Sequence, residues 1–231
     1  QENMCGMITG ATVVDLNGDK KDELIIVGEW CVPQIYSQTE TGFTLVDNPT
    51  LSGLSGWWQS VQTADIDKDG DQDIILGNLG ENNKFNPSTE KPLGILASDF
   101  DDSGSLDIVL TKKYNGKTVP VRGKECATEQ MPFLEEKFPT YDGFASSGIE
   151  DILGADKIST ANQKAVTTFS SIILINNGGM NFNAQRLPTP AQWSPIMDMI
   201  IDDYDKDGNL DIVVAGNMYD TEPETPAYDA G

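Results

Sequence analysis

A nine-residue acidic loop occurs four times in this chain, each time between two apolar stretches. Each copy begins with Asp and has an acidic residue at its ninth position; the copies span residues 15–23, 65–73, 99–107 and 203–211. The apolar stretches cover residues 11–14, 61–64, 95–97 and 197–201 before the loops, and 24–27, 74–76, 108–110 and 212–214 after them. The repeat therefore predicts a unit of strand, acidic loop and strand, used four times.

The four loops offer oxygen atoms at regular positions. Side chains at positions 1, 3, 5 and 9 and the backbone carbonyl at position 7 can surround one cation as the loop turns back on itself. Ca²⁺ takes about six to eight oxygen ligands in flexible geometry, whereas zinc and copper prefer nitrogen and sulfur ligands that these loops lack. The predicted ligands of up to four Ca²⁺ sites are Asp15, Asn17, Asp19, Lys21 and Glu23 in the first loop, Asp65, Asp67, Asp69, Asp71 and Asp73 in the second, Asp99, Asp101, Ser103, Ser105 and Asp107 in the third, and Asp203, Asp205, Asp207, Asn209 and Asp211 in the fourth, with Lys21, Asp71, Ser105 and Asn209 contributing only their backbone carbonyls.

One such loop by itself is equally consistent with a polar hairpin that binds no ion. Four copies with the same first and ninth residues favour a metal site. Four carboxylates in the second loop would also repel one another and oppose folding without a cation. Because Asn17 and Ser103 are neutral ligands, the first and third sites are expected to bind Ca²⁺ more weakly than the other two.

Glycine at position 6 is expected to let the loop reverse direction, because glycine adopts a left-handed backbone without steric cost. Gly70, Gly104 and Gly208 occupy this position in the last three loops. The first loop differs, since Lys20 is at position 6 and the glycine, Gly18, is at position 4.

Charge and composition exclude several functional classes. The chain has 15 Lys and Arg against 37 Asp and Glu, which gives a net charge of −22, and it has no His. A charge of this sign disfavours binding to nucleic acid and to anionic membranes. The lack of His excludes catalytic triads and zinc sites that depend on imidazole. No apolar run approaches the length of a membrane-spanning helix, so membrane insertion is not expected.

The three cysteines, Cys5, Cys31 and Cys126, form no metal-binding or redox motif. Three buried thiols are the favoured interpretation, and a Cys5–Cys31 disulfide is the alternative.

The segments between the loops predict the rest of the fold. Further strands are expected at residues 33–37, 43–46 and 57–64, which with 24–27 make a four-stranded antiparallel unit, and Asn176-Asn-Gly-Gly indicates a hairpin between 170–175 and 182–187. Helical spacing of apolar residues occurs over 131–138, 143–153 and 157–166. We therefore expect a helical insertion over 122–167 within a third blade that ends near Leu187.

The fold class predicted is mainly β, a partial β-propeller of four-stranded antiparallel blades with Ca²⁺-binding loops, one blade carrying the helical insertion. Residues 1–231 are expected to form a single propeller region. At about 50 residues per blade, this length gives between four and five blades, and fewer once the insertion is subtracted.

Several stretches resemble a known repeat family. They are Gly28-Glu-Trp, Gly56-Trp-Trp-Gln-Ser, Gly77-Asn-Leu-Gly-Glu-Asn-Asn-Lys-Phe, Glu90-Lys-Pro, Leu187-Pro-Thr-Pro-Ala-Gln-Trp-Ser-Pro and Ala215-Gly-Asn-Met-Tyr. Together with the loops, they resemble the FG-GAP/VCBS repeats, the calcium-loop blades of integrin α chains, and in detail the bacterial secreted repeat proteins associated with ASPIC/UnbV domains. The resemblance implies a ring of about seven blades with calcium loops near one rim. Because the chain is long enough for fewer than five blades, it is expected to be part of a longer propeller.

The function expected is that of an extracellular, non-enzymatic Ca²⁺-binding propeller. It would bind a protein or glycan ligand, or join other subunits at its open edges, as a bacterial secreted or cell-surface protein. The alternative is a polysaccharide lyase or glycosidase on a propeller scaffold, with Glu135, Glu136, Lys137 and Tyr141 as candidate groups.

Trp57 and Trp58 could offer a sugar platform, but neighbouring strand residues point to opposite faces, so at most one is expected in the core. Trp30 and Trp193 are expected to be packing residues.

Overall fold

The structure is a computed structural model that describes residues 5–221 and 227–230. It divides into two compact units, one of residues 87–165 and one made of the chain on either side of that segment. The strands in chain order are β1 (Met7–Val14), β2 (Glu23–Cys31), β3 (Gln34–Thr39), β4 (Gly42–Leu45), β5 (Gly56–Trp57), β6 (Ser60–Ala64), β7 (Asp73–Gly77), β8 (Leu93–Ser98), β9 (Asp107–Tyr114), β10 (Lys117–Pro120), β11 (Asn162–Val166), β12 (Ile172–Asn176), β13 (Phe182–Arg186), β14 (Asp198–Asp202) and β15 (Asp211–Ala215). The α-helices are α1 (Pro49–Ser52), α2 (Lys124–Gln130), α3 (Phe133–Lys137), α4 (Tyr141–Ser146), α5 (Ile149–Leu153) and α6 (Ala155–Thr160), and a 3₁₀ helix covers Thr189–Gln192.

Each acidic loop joins two antiparallel strands in the same register. The residue before the loop pairs with the ninth loop residue in all four hairpins: Val14 with Glu23, Ala64 with Asp73, Ser98 with Asp107, and Asp202 with Asp211. The predicted unit of strand, acidic loop and strand is therefore confirmed at every copy.

The first sheet has the strand order β1-β2-β3-β4, with β5 pairing to β2 beyond that path. Alternate residues of β2 point into the core, where Ile25 and Val27 are completely buried. The prediction that residues 57–64 supply the fourth strand is wrong. Instead, β1 completes this sheet, and residues 57–64 are divided between β5 and the first strand of the next sheet.

The second sheet has the order β6-β7-β12-β13, so its third and fourth strands come from far along the chain. Ile74 pairs with Leu174 and Leu76 with Ile172. The expectation that residues 170–187 finish the third blade is therefore wrong. Periodicity identified these strands and the hairpin between them, but pairing over this distance depends on which buried faces meet, which periodicity does not record.

The larger unit has a core of aliphatic side chains around one tryptophan. Leu16, Ile25, Trp58, Leu76 and Leu174 are among its buried members. A smaller cluster packs Ile75 and Ile173 against Ile196 and Met199 on the other face of the second sheet. The hairpin β14–β15 begins a further sheet and has two strands among the described residues.

The smaller unit, residues 87–165, has its own sheet of order β10-β9-β8-β11. Its fourth strand, β11, lies beside β8 and not beside β10, so this sheet departs from the strand order of the first two. Leu96 and Val109 of the sheet pack with Leu134, Phe144 and Ile152 of the helices.

The predicted helical segment, 122–167, contains five short helices and ends in a strand. Helix α2 lies within the predicted insertion but before its first run of helical spacing. Residues 143–153 are divided between two helices separated at Ser147 and Gly148, and residues 162–166 of the expected last helix form β11. That these residues are an insertion in one blade of a single region over 1–231 stays a prediction. No helix among the described residues is long and apolar enough to cross a bilayer.

Two expectations about individual side chains are corrected. Cys5 and Cys31 form a disulfide with a Cα–Cα distance of 4.8 Å, and Cys126 remains a thiol, so the favoured interpretation of three thiols is wrong. The turn at residue 6 brings the start of β1 against the end of β2, and this places the two cysteines together. Trp193 is 51% exposed and is not a core residue.

Trp57 and Trp58 differ as expected. Trp58 is completely buried, and its indole nitrogen donates to the carbonyl of Leu54 at 3.1 Å. Trp57 packs between Trp30 and Phe169, with ring centroids 5.2 Å and 4.9 Å away.

The disulfide gives a direct test of this part of the fold. We expect the denatured, unreduced protein to titrate one thiol and the reduced protein three. Because a cross-link restricts the unfolded chain, Cys31→Ser should lower the free energy of unfolding by about 2–4 kcal/mol in urea denaturation. Cys126→Ser is the matched control, and three titratable thiols before reduction would contradict the disulfide.

Candidate metal-binding loops

Two hydrogen bonds recur in all four acidic loops and define their shape. The backbone nitrogen at position 6 donates to the carboxylate at position 1, over 2.8–3.1 Å from Lys20, Gly70, Gly104 and Gly208. The backbone nitrogen at position 2 donates to the acid at position 9, over 2.9–3.0 Å from Leu16, Ile66, Phe100 and Tyr204. The first bond closes the turn, and the second ties the start of the loop to the start of the following strand.

The backbone is left-handed at position 6 in every loop, as expected for its three glycines. Lys20 adopts the same conformation with φ 68°, so the first loop keeps the turn without the glycine. Position 4 is also left-handed throughout, with Gly18 in the first loop and Lys68, Asp102 and Lys206 in the others. Each loop thus has left-handed residues at positions 4 and 6, and the first loop has its glycine at position 4.

In three loops, the carboxylates at positions 1, 3 and 9 converge. One oxygen from each of the three lies within 4.8 Å of the other two in the groups Asp65/Asp67/Asp73, Asp99/Asp101/Asp107 and Asp203/Asp205/Asp211. Two ligands on opposite sides of one Ca²⁺ would be separated by about 4.6–5.2 Å, given Ca–O distances of about 2.3–2.6 Å. The oxygen spacing therefore fits one Ca²⁺ in each loop.

A further observation in the fourth loop favours a cation. The Oδ1 atom of Asp203 is buried and accepts no hydrogen bond, while its Oδ2 accepts from the nitrogen of Gly208. A buried polar atom without a partner is costly, and a cation bound among these oxygens would satisfy it.

The first loop arranges the same positions differently. Its third residue is Asn17, whose Oδ1 accepts from the nitrogen of Asp19 and whose Nδ2 donates to Glu23 at 3.1 Å. This loop offers carboxylates at positions 1, 5 and 9 but is not among the convergent groups of three acids in the described residues.

The side chain at position 5 accepts a hydrogen bond within its own loop. Asp19, Asp69, Ser103 and Asp207 each accept a hydrogen bond from the backbone nitrogen at position 7, over 2.7–3.3 Å. The carbonyl groups of Lys21, Asp71, Ser105 and Asn209 at position 7 remain predicted ligands.

The ninth residue is buried in the first three loops and half-buried in the fourth, where it is Asp211. Glu23, Asp73 and Asp107 are buried, and each uses its second oxygen to accept a donor from outside the loop. These donors are Ser37 Oγ at 3.2 Å, the nitrogen of Asn176 at 2.8 Å and Gln130 Nε2 at 3.4 Å. The sequence analysis missed Asn176 and Gln130, because they lie far from their loops in the chain and share no motif with them.

The electrostatics reflect this burial. Desolvation raises the pKa of Asp73, and the nearby Asp67 and Asp69 add to the effect against the hydrogen bonds from Asn176 and Ile66. At position 1 of the third loop, the hydrogen bond from the backbone nitrogen of Gly104 lowers the pKa of Asp99. The buried acid of the second loop is thus destabilised by its acidic neighbours when no cation balances them.

Three of the loops are linked to one another at one edge of the larger unit. Asn176 Nδ2 donates to the carbonyls of Leu16 and Gln72 at 2.8 and 3.2 Å, which joins the first and second loops. Lys68 Nζ donates to Asn209 Oδ1 at 2.8 Å, which joins the second and fourth. In the smaller unit, Lys157 Nζ holds the third loop through the carbonyl of Phe100 and the carboxylate of Asp102, both at 2.8 Å.

The candidate catalytic residues lie on α3, which carries Glu135, Glu136 and Lys137, and at the start of α4, which carries Tyr141. Glu135 forms an ion pair with Lys124 at 2.6 Å, and Lys137 donates to the carbonyl of Ile152 at 3.0 Å. Tyr141 is mostly exposed at the start of α4.

The left-handed residues of the loops allow a matched stability test. A β-carbon at Gly70 or at Gly53 would meet nothing within 4 Å, but φ is 98° at Gly70 and −91° at Gly53. Gly70→Ala should therefore lower the free energy of unfolding by about 1 kcal/mol or more, whereas Gly53→Ala should not.

Lys20→Gly should raise the free energy of unfolding, because glycine adopts the left-handed backbone without strain. The larger conformational entropy of the unfolded glycine variant offsets part of this gain. We expect a change between zero and about 1 kcal/mol in favour of the folded state, measured by urea denaturation. Equal effects of Gly70→Ala and Gly53→Ala would contradict the left-handed conformation of the loop.

Comparison with known proteins agrees with this geometry. The family model of the FG-GAP-like repeat matches residues 15–76, which run from the first acidic loop through the second and into β7. No curated protein matches the chain. Residues 15–76 of this protein are therefore an FG-GAP-like repeat.

Proposed function

We propose that this chain is part of a calcium-stabilised β-propeller that acts outside the cell as a non-enzymatic binding module. The observation that carries the proposal is the convergence of three carboxylates in each of three repeated loops, at the spacing that Ca²⁺ requires. FG-GAP-like repeats and acidic loops of this kind are consistent with such a module.

The role proposed for Ca²⁺ is structural. Each loop joins two paired strands, and its ninth residue is the first residue of the second strand. The ligands would be Asp, Glu, Asn and Ser side chains of one loop together with the carbonyl at position 7. A bound cation there would neutralise like charges that otherwise oppose the turn, so metal binding would stabilise the folded state.

A propeller is supported by the repetition of sheets within the larger unit. The first and second sheets share the same arrangement, in which the acidic-loop hairpin comes first and two outer strands follow. Their innermost strands, β1 and β6, are in contact, and β6 also contacts β14 of the next hairpin. Successive inner strands side by side are the arrangement expected of neighbouring blades.

An extracellular or cell-surface location of the bacterial secreted type is proposed from two features. The Cys5–Cys31 disulfide points to an oxidising compartment. Extracellular Ca²⁺ is also abundant enough to occupy weak sites, which cytosolic Ca²⁺ is not.

The partner proposed is a protein or glycan ligand or another subunit. The hairpin β14–β15 favours the last of these as a second candidate, because Ile200, Val213 and Val214 are exposed on its two strands. An exposed strand edge with apolar side chains can pair with another chain. Light scattering after size exclusion should then show a defined oligomer that Val213→Lys dissociates, and a monomer at all concentrations would exclude assembly through this hairpin.

The calcium proposal predicts a large effect of the metal on stability. Adding Ca²⁺ to metal-free protein should raise the Tm by about 5–10 °C for a site saturated at about a hundredfold excess over its Kd, and chelation should reverse the change. Mg²⁺ should be much less effective, since it requires compact octahedral geometry. An unchanged Tm on calcium addition and chelation would contradict the proposal.

Two reciprocal substitutions provide a matched control within the same experiment. Asp67→Asn gives the second loop the residue that the first has at position 3, and Asn17→Asp does the reverse. Asp67→Asn should stabilise the metal-free protein and weaken Ca²⁺ binding on the order of tenfold at that loop. Asn17→Asp should destabilise the metal-free protein, because it places a carboxylate against Glu23, and should strengthen Ca²⁺ binding.

A further inference from the structure

The segment of residues 108–124 has a charge opposite to that of the rest of the chain. It contains Lys112, Lys113, Lys117, Arg122 and Lys124 and no acidic residue, although acids outnumber bases by 37 to 15 overall. One third of the basic residues thus lie in 17 consecutive positions. A positive surface on an acidic protein attracts anionic ligands locally, while the net charge of −22 repels long polyanions.

The structure orders this basic segment as a hairpin. Strands β9 and β10 pair from Lys117 opposite Tyr114 to Pro120 opposite Thr111. Lys113 Nζ donates to Thr118 Oγ1 at 2.7 Å, and Lys117 Nζ donates to the carbonyl of Ser146 at 3.0 Å. These bonds restrain two of the cations, which reduces the entropy lost when they bind an anion.

A cavity of about 280 Å³ lies beside this hairpin in the smaller unit. Tyr114, Arg122, Lys124 and Tyr141 line it, with Val119 and Phe144 among its apolar walls. Tyr114 is 63% exposed and Tyr141 is 65% exposed, so both phenol rings are accessible. The cavity thus combines two aromatic rings with two cationic side chains.

Lys124 is the most constrained of these groups. Its side chain is 6% exposed, its Nζ contacts Glu135 Oε2 at 2.6 Å, and it lies 5.4 Å from the centre of the Tyr141 ring. Glu135 is 68% exposed, so this buried ammonium is balanced by a carboxylate that solvent reaches. A ligand carboxylate in the cavity would add a second acceptor to a cation that is already desolvated, where charge-assisted hydrogen bonds are strong.

A second cavity, of about 380 Å³, extends the basic surface along the same hairpin. Lys112, Lys113 and Lys164 line it, together with Glu150 and the polar side chains of Thr111 and Gln163. Three lysines against one acid leave this cavity net positive, which suits a ligand with more than one negative charge.

We propose that this surface, centred on Tyr114, Arg122, Lys124 and Tyr141, binds a short carboxylate-bearing saccharide. Sugar rings would stack on the tyrosines, and the uronate carboxylate would pair with Arg122 and Lys124. The first cavity, of about 280 Å³, lies at the lower end of the range of small-ligand pockets, about 300–1,000 Å³, which suits a single sugar ring. The proposal rests on the binding function proposed above and names its ligand class.

Titration calorimetry on the full chain in calcium-containing buffer tests the proposal. The probes are a glucuronate-containing hyaluronan oligosaccharide, a neutral cello-oligosaccharide of the same length and a single-stranded DNA of similar charge. We expect the hyaluronan oligosaccharide to bind, with an affinity that falls as salt rises, and the other two probes to bind at least about tenfold more weakly. Equal binding of the neutral sugar would overturn the charge contribution, and stronger binding of DNA would assign the surface to nucleic acid.

Exposed residues allow variants that keep the fold. Arg122→Gln and Tyr141→Ala should each lower the affinity for the hyaluronan oligosaccharide about tenfold. The controls are Lys91→Gln, an exposed lysine of the same unit outside both cavities, and Tyr219→Ala, a tyrosine of similar exposure in the other unit. If Arg122→Gln and Tyr141→Ala both bound the oligosaccharide with wild-type affinity, the saccharide would not bind at this cavity.

The Tm with and without Ca²⁺ is measured on the same samples. A calcium-dependent Tm without saccharide binding would overturn this inference alone. A Tm that does not respond to calcium would instead overturn the proposed calcium module.

Discussion

A buried carboxylate at the end of three of the four acidic loops is the interaction on which this structure depends. Glu23, Asp73 and Asp107 each begin a strand, accept the nitrogen of loop position 2 and receive a second donor from elsewhere. A buried charge is tolerated only when its hydrogen bonds are satisfied. The same side chain therefore sets the strand register, closes the loop and presents an oxygen to the proposed metal.

The second donor explains how separate parts of the chain are held together. In the second sheet it is the backbone of Asn176, whose side chain also binds the carbonyls of Leu16 and Gln72. This residue joins two loops and the third strand through one buried amide. In the smaller unit, Gln130 of α2 donates to Asp107, so a helix supplies the second donor that strand β12 supplies in the second sheet.

Acidic and basic residues are concentrated in different parts of this protein. Acidic residues concentrate in the loops, where convergence of three carboxylates supports a cation site. Burial raises the pKa of Asp73 there, and the nearby Asp67 and Asp69 add to the effect. Basic residues concentrate in the β9–β10 hairpin, beside accessible tyrosines. The first pattern repeats and was visible at once, whereas the second required the fold, because Tyr141 lies outside the basic segment and joins it only through helix α4.

Sequence by itself determined the local units: four hairpins and the positions of the acidic side chains in their loops. It could do so because each loop contains its own turn residues and its own alternation of apolar side chains. The sequence also showed that Lys20 stands where the other loops have glycine, although it did not show that the backbone of Lys20 is left-handed. Tertiary structure alone decided that β12 and β13 complete the second sheet, that β11 lies beside β8, and that Cys5 meets Cys31. These choices depend on which buried faces and hydrogen-bonding edges come together over long chain distances, and no local pattern records that information.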